Sequence, residues 1–209
     1  MSAREDILSD IRARRSGPVP KPAPYLVAPP GDDLAGHFAD RARGAAARVS
    51  ILGGADEIPA VIADVLRARN LPAIVHLPPD PSLDNLAWSS APGLTLVHNA
   101  PGPDDTAVGT ASFAIAETGT LVYTAAAARP ASWHFRPGLE IALVAAESIQ
   151  ADLEQVLTRM KQRGALPSTI NLVTGPSRTG DIEQTLELGA HGPKELVILI
   201  VPILGSEGT

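Results

Sequence analysis

The sequence predicts an α/β fold in which a mostly parallel sheet is flanked by helices and a short helical arm precedes the sheet. Three observations predict it. Beyond residue 31, runs with strand periodicity alternate with runs of helical periodicity, the pattern of a parallel sheet whose crossovers are helices. No break in composition divides the 209 residues, and that length suits one sizeable core. Prolines crowd residues 17–31 (Pro18, Pro20, Pro22, Pro24, Pro29, Pro30), which leaves that stretch only an extended connector. The organisation that follows is an arm over 1–16, a Pro-rich connector over 17–31 and one α/β domain over 32–209.

In the arm, Ser2 and Glu5 have capping-box spacing, and Ile7, Leu8 and Ile11 form an apolar stripe that Gly17 and Pro18 terminate. A helix this short is marginal alone in water. It is expected to dock on its own domain, on a second copy as a homo-oligomer, or on another subunit. Strands are expected over 48–52, 73–77, 94–97, 112–116, 120–124, 141–145, 170–174 and 196–201. One helical stripe joins Ile58, Val61, Ile62, Val65 and Leu66, and another joins Ile149, Leu153, Val156, Leu157 and Met160 before Gly164. A third, short helix is expected to carry Ile182 and Leu186 and to end at Gly189. Residues 112–124 read as a tight hairpin or a bent strand around Glu117-Thr118-Gly119.

The formal charge of -6, with no basic block, gives nucleic acid and anionic lipid nothing to be attracted to. The chain has no cysteine, which excludes disulfides, thiolate nucleophiles and Cys-built metal or iron–sulfur sites from these residues. Residues 1–15 lack the apolar core of a signal peptide. The longest apolar run, 196–204, is interrupted by Pro202 and falls short of the ~20 residues of a membrane helix. A cytoplasmic location without membrane insertion is the expectation.

Two polar turns stand out because packing alone does not call for their chemistry. Glu117-Thr118-Gly119-Thr120 sets a carboxylate, two hydroxyls and an unhindered backbone between two apolar strands. Gly119 admits positive φ and close approach, Thr118 and Thr120 with neighbouring N–H groups can hold an anion, and Glu117 is the best candidate for a general base or a cation-binding group. The alternative is an ordinary turn with Glu117 in water. The second, Thr174-Gly175-Pro176-Ser177-Arg178-Thr179-Gly180-Asp181, reads as a strand end followed by a helix N-terminus. There a phosphate or carboxylate would meet free N–H groups, the Arg178 guanidinium and the hydroxyls of Ser177 and Thr179. Here the alternative is simple capping by Ser177, Thr179 or Asp181. It is neither a Walker loop nor a dinucleotide fingerprint. His191, Gly192 and Lys194 follow, either as a turn or as a border of the same crevice. His134 lies in a loop that gathers Trp133 and Phe135 between Arg129 and Arg136, as a pocket wall or interface patch would.

The stretches 113–122 (Phe113-Ala114-Ile115-Ala116-Glu117-Thr118-Gly119-Thr120-Leu121-Val122), 174–183 and 188–193 (Leu188-Gly189-Ala190-His191-Gly192-Pro193) together resemble the LUD-domain family. The likeness runs from the arm to the end of the chain. It implies a fold related to the NagB/RpiA/CoA-transferase group, with formyltetrahydrofolate cyclo-ligase as a distant relative. It also implies a part in oxidising L-lactate to pyruvate beside iron–sulfur subunits resembling LutA and LutB, with no cofactor in this chain and the clusters on those partners. By the same resemblance, Glu117, Thr118, Gly119, Thr120, Gly175, Ser177, Arg178, Thr179, Asp181, His191 and Gly192 are expected to bind a small anionic ligand. Family members often carry a histidine shortly before the strand that Ile141 begins, where this chain has Glu140. A stand-alone enzyme acting on a phosphorylated, CoA-linked or folate-type metabolite is the alternative function.

Overall fold

The computed structural model describes residues 3–14, 31–164, 167–180, 186–188 and 192–204. Helix α1 (Ala3–Arg14) is the arm, and none of its residues is buried. The apolar stripe of Ile7, Leu8 and Ile11 is exposed along it. Helix α2 (Leu34–Gly44) opens on Asp33, whose carboxylate accepts from the Gly36 N–H, and leads into β1 (Arg48–Ile51). Then come α3 (Ile58–Ala68), β2 (Ile74–His76), the single turn α4 (Pro81–Asp84), β3 (Thr95–Val97) and β4 (Thr106–Thr110). A hairpin of β5 (Phe113–Ile115) and β6 (Thr120–Thr124) is followed by the turn α5 (Ser132–Phe135) and β7 (Leu139–Ala145). The chain continues through β8 (Ile149–Gln150), α6 (Leu153–Gln162), β9 (Ile170–Val173), β10 (Arg178–Gly180), β11 (Leu186–Leu188) and β12 (Glu195–Val201).

Six strands form a parallel sheet in the order β1-β12-β7-β4-β2-β3. Its central strands β7 and β12 are near-continuous apolar runs because both faces are covered. On one face, Ile141, Leu143, Val197 and Leu199 pack against Ile58, Ile62 and Leu66 of α3. On the other, Ala142, Val144, Ile198 and Ile200 meet Phe38, Ala39 and Ala42 of α2 and residues Ala114, Leu121 and Tyr123 of a second sheet. That second sheet has the order β8-β5-β6-β9, with β5–β6 and β6–β9 antiparallel and β5–β8 parallel. Its outer face is covered by Val156 and Met160 of α6.

The mostly parallel sheet and its flanking helices are as the periodicity predicts, and 112–124 is a hairpin. Three local readings need correction. Strand β4, with Gly109 and threonines at both ends, was missed for want of an apolar run. Ile149 lies in β8, since α6 starts only after Asp152, whose carboxylate accepts from the Gln155 N–H. At the Leu186 end of the expected third helix the chain is instead a strand, in an antiparallel pairing in which Arg178 faces Leu188 and Gly180 faces Leu186. Gly180 is a poor helix former and Leu186-Glu187-Leu188 alternates with strand period. Asp181, Ile182, His191 and all but the end of the Pro-rich connector lie outside the described residues.

Candidate ligand site

The two polar turns come together. Thr120 follows the hairpin turn and Thr174 follows β9, and their hydroxyls hydrogen-bond at 2.7 Å, with Thr118 joined to Thr120 at 2.6 Å. What fills the space beside them is the C-terminal end of α2. A Cβ on Gly119, which has φ +68°, would stand 2.4 Å from the Ala42 nitrogen. One on Gly175, with φ +83°, would stand 2.1 Å from the Ala45 carbonyl oxygen. Both glycines are therefore explained by close packing under a helix end, which is the negative end of its dipole. Glu117 is half-buried and Thr118 exposed.

The segment after β9 does not begin a helix, so the N-terminal anion site expected of Ser177, Arg178 and Thr179 is not formed. Ser177 donates its backbone N–H to the Pro193 carbonyl at 2.9 Å, and the Cβ position of Gly192 lies 3.3 Å from Ser177 Cβ. Arg178 is exposed. Lys194 is exposed and paired with Asp104 at 3.2 Å, one residue before β12 begins. Lys194 thus stands at the amino edge of the parallel sheet, next to Gly192 and Pro193, which meet Ser177 of the second turn. The physical reason is that β9 belongs to the second sheet, antiparallel to β6, and its carboxyl end points to the amino side of the parallel one. The rule that ligands gather at carboxyl ends applies to strands of the parallel sheet.

At those carboxyl ends lies a cavity of about 310 Å³ lined by Thr110 from the end of β4, Ala145 from the end of β7 and Ile203 and Leu204 just beyond β12. Ser82, Ser112, Arg129, Glu147, Ser148 and Arg163 complete it. The hydrogen-bonding directions of these groups can be read from their other contacts. Ser82 Oγ donates to Asp80 at 2.7 Å and Ser148 Oγ donates to the Ala145 carbonyl at 2.7 Å, so both oxygens have only lone pairs left to offer. Glu147 is another acceptor. Arg129 and Arg163 are donors. The Thr110 hydroxyl is buried and has no hydrogen-bond partner among the described residues, a vacancy that a ligand at this spot would fill.

Arg129 is held from behind. Its Nε donates to Asp80 Oδ2 at 2.7 Å, and Asp80 is buried. Burial by itself would raise the Asp80 carboxyl, but hydrogen bonds from Arg129 and Ser82 and the guanidinium charge outweigh it and hold the group below the usual carboxylate range. The guanidinium of Arg163 lies over the Phe113 ring, 4.7 Å from its centroid.

The loop that carries Arg129 is fixed at its other end by His134. This ring stacks on Tyr123 with centroids 3.6 Å apart and hydrogen-bonds Glu140 Oε1 through Nδ1 at 2.8 Å. The Tyr123 hydroxyl donates to the same carboxylate oxygen at 2.7 Å. Burial, then the charge and hydrogen bond of Glu140, push the Tyr123 hydroxyl well above its ordinary range. Gly109 makes the seat, since a Cβ there would meet His134 Cε1 at 2.8 Å. His134 and Glu140 are both buried, so this cluster is an internal staple between the two sheets and not a pocket wall.

Residues 104–201 match the LUD domain family. Lactate utilization protein C of Bacillus licheniformis is 36% identical over 91 residues, covering 42% of this chain and 38% of that protein. Lactate utilization protein C of Halalkalibacterium halodurans is 30% identical over 118 residues, covering 54% and 51%. Uncharacterized protein YkgG of Escherichia coli is 30% identical over 122 residues, covering 56% and 52%. The chain thus spans about half or less of the length of these relatives. A DUF162 family protein from Deinococcus radiodurans shares the fold, with a TM-score of 0.55 at 21% identity over 80% of this chain and 96% of that one. The matched residues 104–201 run from just before β4 to the end of β12 and include the whole second sheet.

Proposed function

We propose that this chain is a component of an L-lactate utilisation system and that the cavity at the carboxyl ends of β4, β7 and β12 seats a 2-hydroxy acid of the lactate kind. The observation that carries the reading is the division of the cavity wall into donors and acceptors. Arg129 and Arg163 offer N–H groups suited to a carboxylate. Ser82 and Ser148, their protons already given to Asp80 and Ala145, and the Glu147 carboxylate offer acceptors suited to a hydroxyl. A molecule with a carboxylate and a neighbouring hydroxyl satisfies both halves. The relatives named for lactate utilisation support the same choice of ligand.

Oxidation of lactate moves two electrons, and these 209 residues contain no cysteine to hold a cluster. The redox step is accordingly assigned to iron–sulfur partner subunits resembling LutA and LutB, in the cytoplasm, with this chain as the binding subunit. Among the described residues no helix is long and apolar enough to cross a membrane. The test is genetic. In a host without another lactate oxidase, deletion of the gene should abolish growth on L-lactate, the native gene should restore it, and R129Q should restore it poorly. Undiminished growth of the deletion strain would overturn the assignment.

A further inference from the structure

The cavity does not end at the two arginines. A second lobe of about 210 Å³ opens beside it and shares Ser112, Arg129 and Arg163 with it, while its remaining wall is Phe113, Thr124, Met160 and Pro167. The two lobes differ in what they ask of a ligand. In the first, the Thr110 hydroxyl lacks a partner and Ser82, Ser148 and Glu147 present acceptors. In the second, the two hydroxyls are hydrogen-bonded to each other, Ser112 Oγ lying 2.7 Å from Thr124 Oγ1, and the other surfaces are an aromatic ring, a thioether and a pyrrolidine ring. Polar demand is concentrated on one side of the arginines and apolar surface on the other.

Size points the same way. A water's share of liquid volume is about 30 Å³, so the first lobe alone holds the volume of roughly ten waters. The few non-hydrogen atoms of lactate would leave much of it, and all of the second lobe, unfilled. Pockets of a few hundred Å³ ordinarily enclose larger metabolites.

Resting on the reading of the first lobe as a hydroxy-acid site, we infer that the preferred ligand is a 2-hydroxy acid with an apolar side chain longer than the methyl of lactate. Its carboxylate lies between Arg129 and Arg163, its hydroxyl faces Ser82, Ser148 and Glu147, and its chain extends past Arg163 along Phe113, Met160 and Pro167. Met160 suits such a role, being unbranched and adaptable.

The experiment is a calorimetric titration of the purified full chain with L-lactate and with straight-chain L-2-hydroxy acids of increasing length, up to 2-hydroxyoctanoate. Each methylene that enters the second lobe should tighten binding about fourfold, the equivalent of ~0.8 kcal/mol per buried CH₂. R129Q should weaken every member by the same factor, because all share one carboxylate seat. Lactate binding with no gain for the longer acids would overturn this inference and leave the hydroxy-acid site standing. Gain with length that R129Q does not touch would place the chains elsewhere and overturn it as well. Failure of every acid to bind would overturn the site reading itself.

Discussion

The hydroxyls of Thr120 and Thr174, fifty-four positions apart in the chain, are 2.7 Å from each other. Their contact joins the two polar turns under the C-terminal end of α2, at the side of the molecule opposite the strand-end cavity. Along β5 the separation from Ser112, at the cavity, to Ala116, at the turn, is about 13 Å at the usual rise per residue. The turns therefore act as a joint between α2 and the second sheet, and the cavity proposed to seat the ligand lies at the other end of the hairpin.

Replacing Gly119 or Gly175 by alanine tests the joint. Each holds a positive φ and has helix-end backbone within contact range of a new Cβ. Strain at such a position costs roughly 1–3 kcal/mol, and the backbone clash adds to it. Urea unfolding should show G119A and G175A both destabilised by at least that amount. Full stability in either variant would mean that α2 does not pack as described.

Glu140 tests the internal staple. Replacing it with leucine removes the shared acceptor of Tyr123 and His134 inside the molecule. The expected loss is roughly 1–3 kcal/mol for each group left without a partner. Y123F should cost far less, since it deletes a donor together with its need. Equal losses in thermal melts of the two variants would contradict this.

Stability should also depend on pH through Asp80. Its carboxyl is lower in the folded chain than in the unfolded one, where a value of about 3.9 is usual. Its contribution is complete above that unfolded value and is lost as pH falls through the lower folded value. The native protein should therefore lose stability below about pH 4 more steeply than D80N, which is weaker at neutral pH because Arg129 then lacks its counter-charge. Parallel acid profiles for the two proteins would contradict the pairing.

Much of the fold was legible because its strongest signals are local. The runs of β7 from Ile141 and of β12 from Leu196 are apolar, the stripe of α3 has helical period, and the hairpin carries a glycine where φ is positive. Strand β4 was not legible: Gly109 is there to seat the His134 ring, a reason that lies in tertiary structure. The site was the least legible part. Ser82, Ser112, Arg129, Ser148 and Arg163 form no motif and meet only because β4, β7 and the segment after β12 end at the same edge. The carboxyl-end rule was applied to β9, which lies in the second sheet and not in the parallel one. Arg129 was in view, but as the flank of an aromatic loop whose Trp133 and His134 are buried.

The most direct test of the strand-end cavity is a calorimetric titration of L-lactate into R129Q and E117Q beside the native chain. Loss of the Arg129 contact should weaken binding roughly tenfold to a hundredfold, the usual worth of a hydrogen bond to a charged group, while E117Q binds as the native protein does. Binding retained in R129Q and lost in E117Q would return the site to the turn at Glu117 and contradict the account.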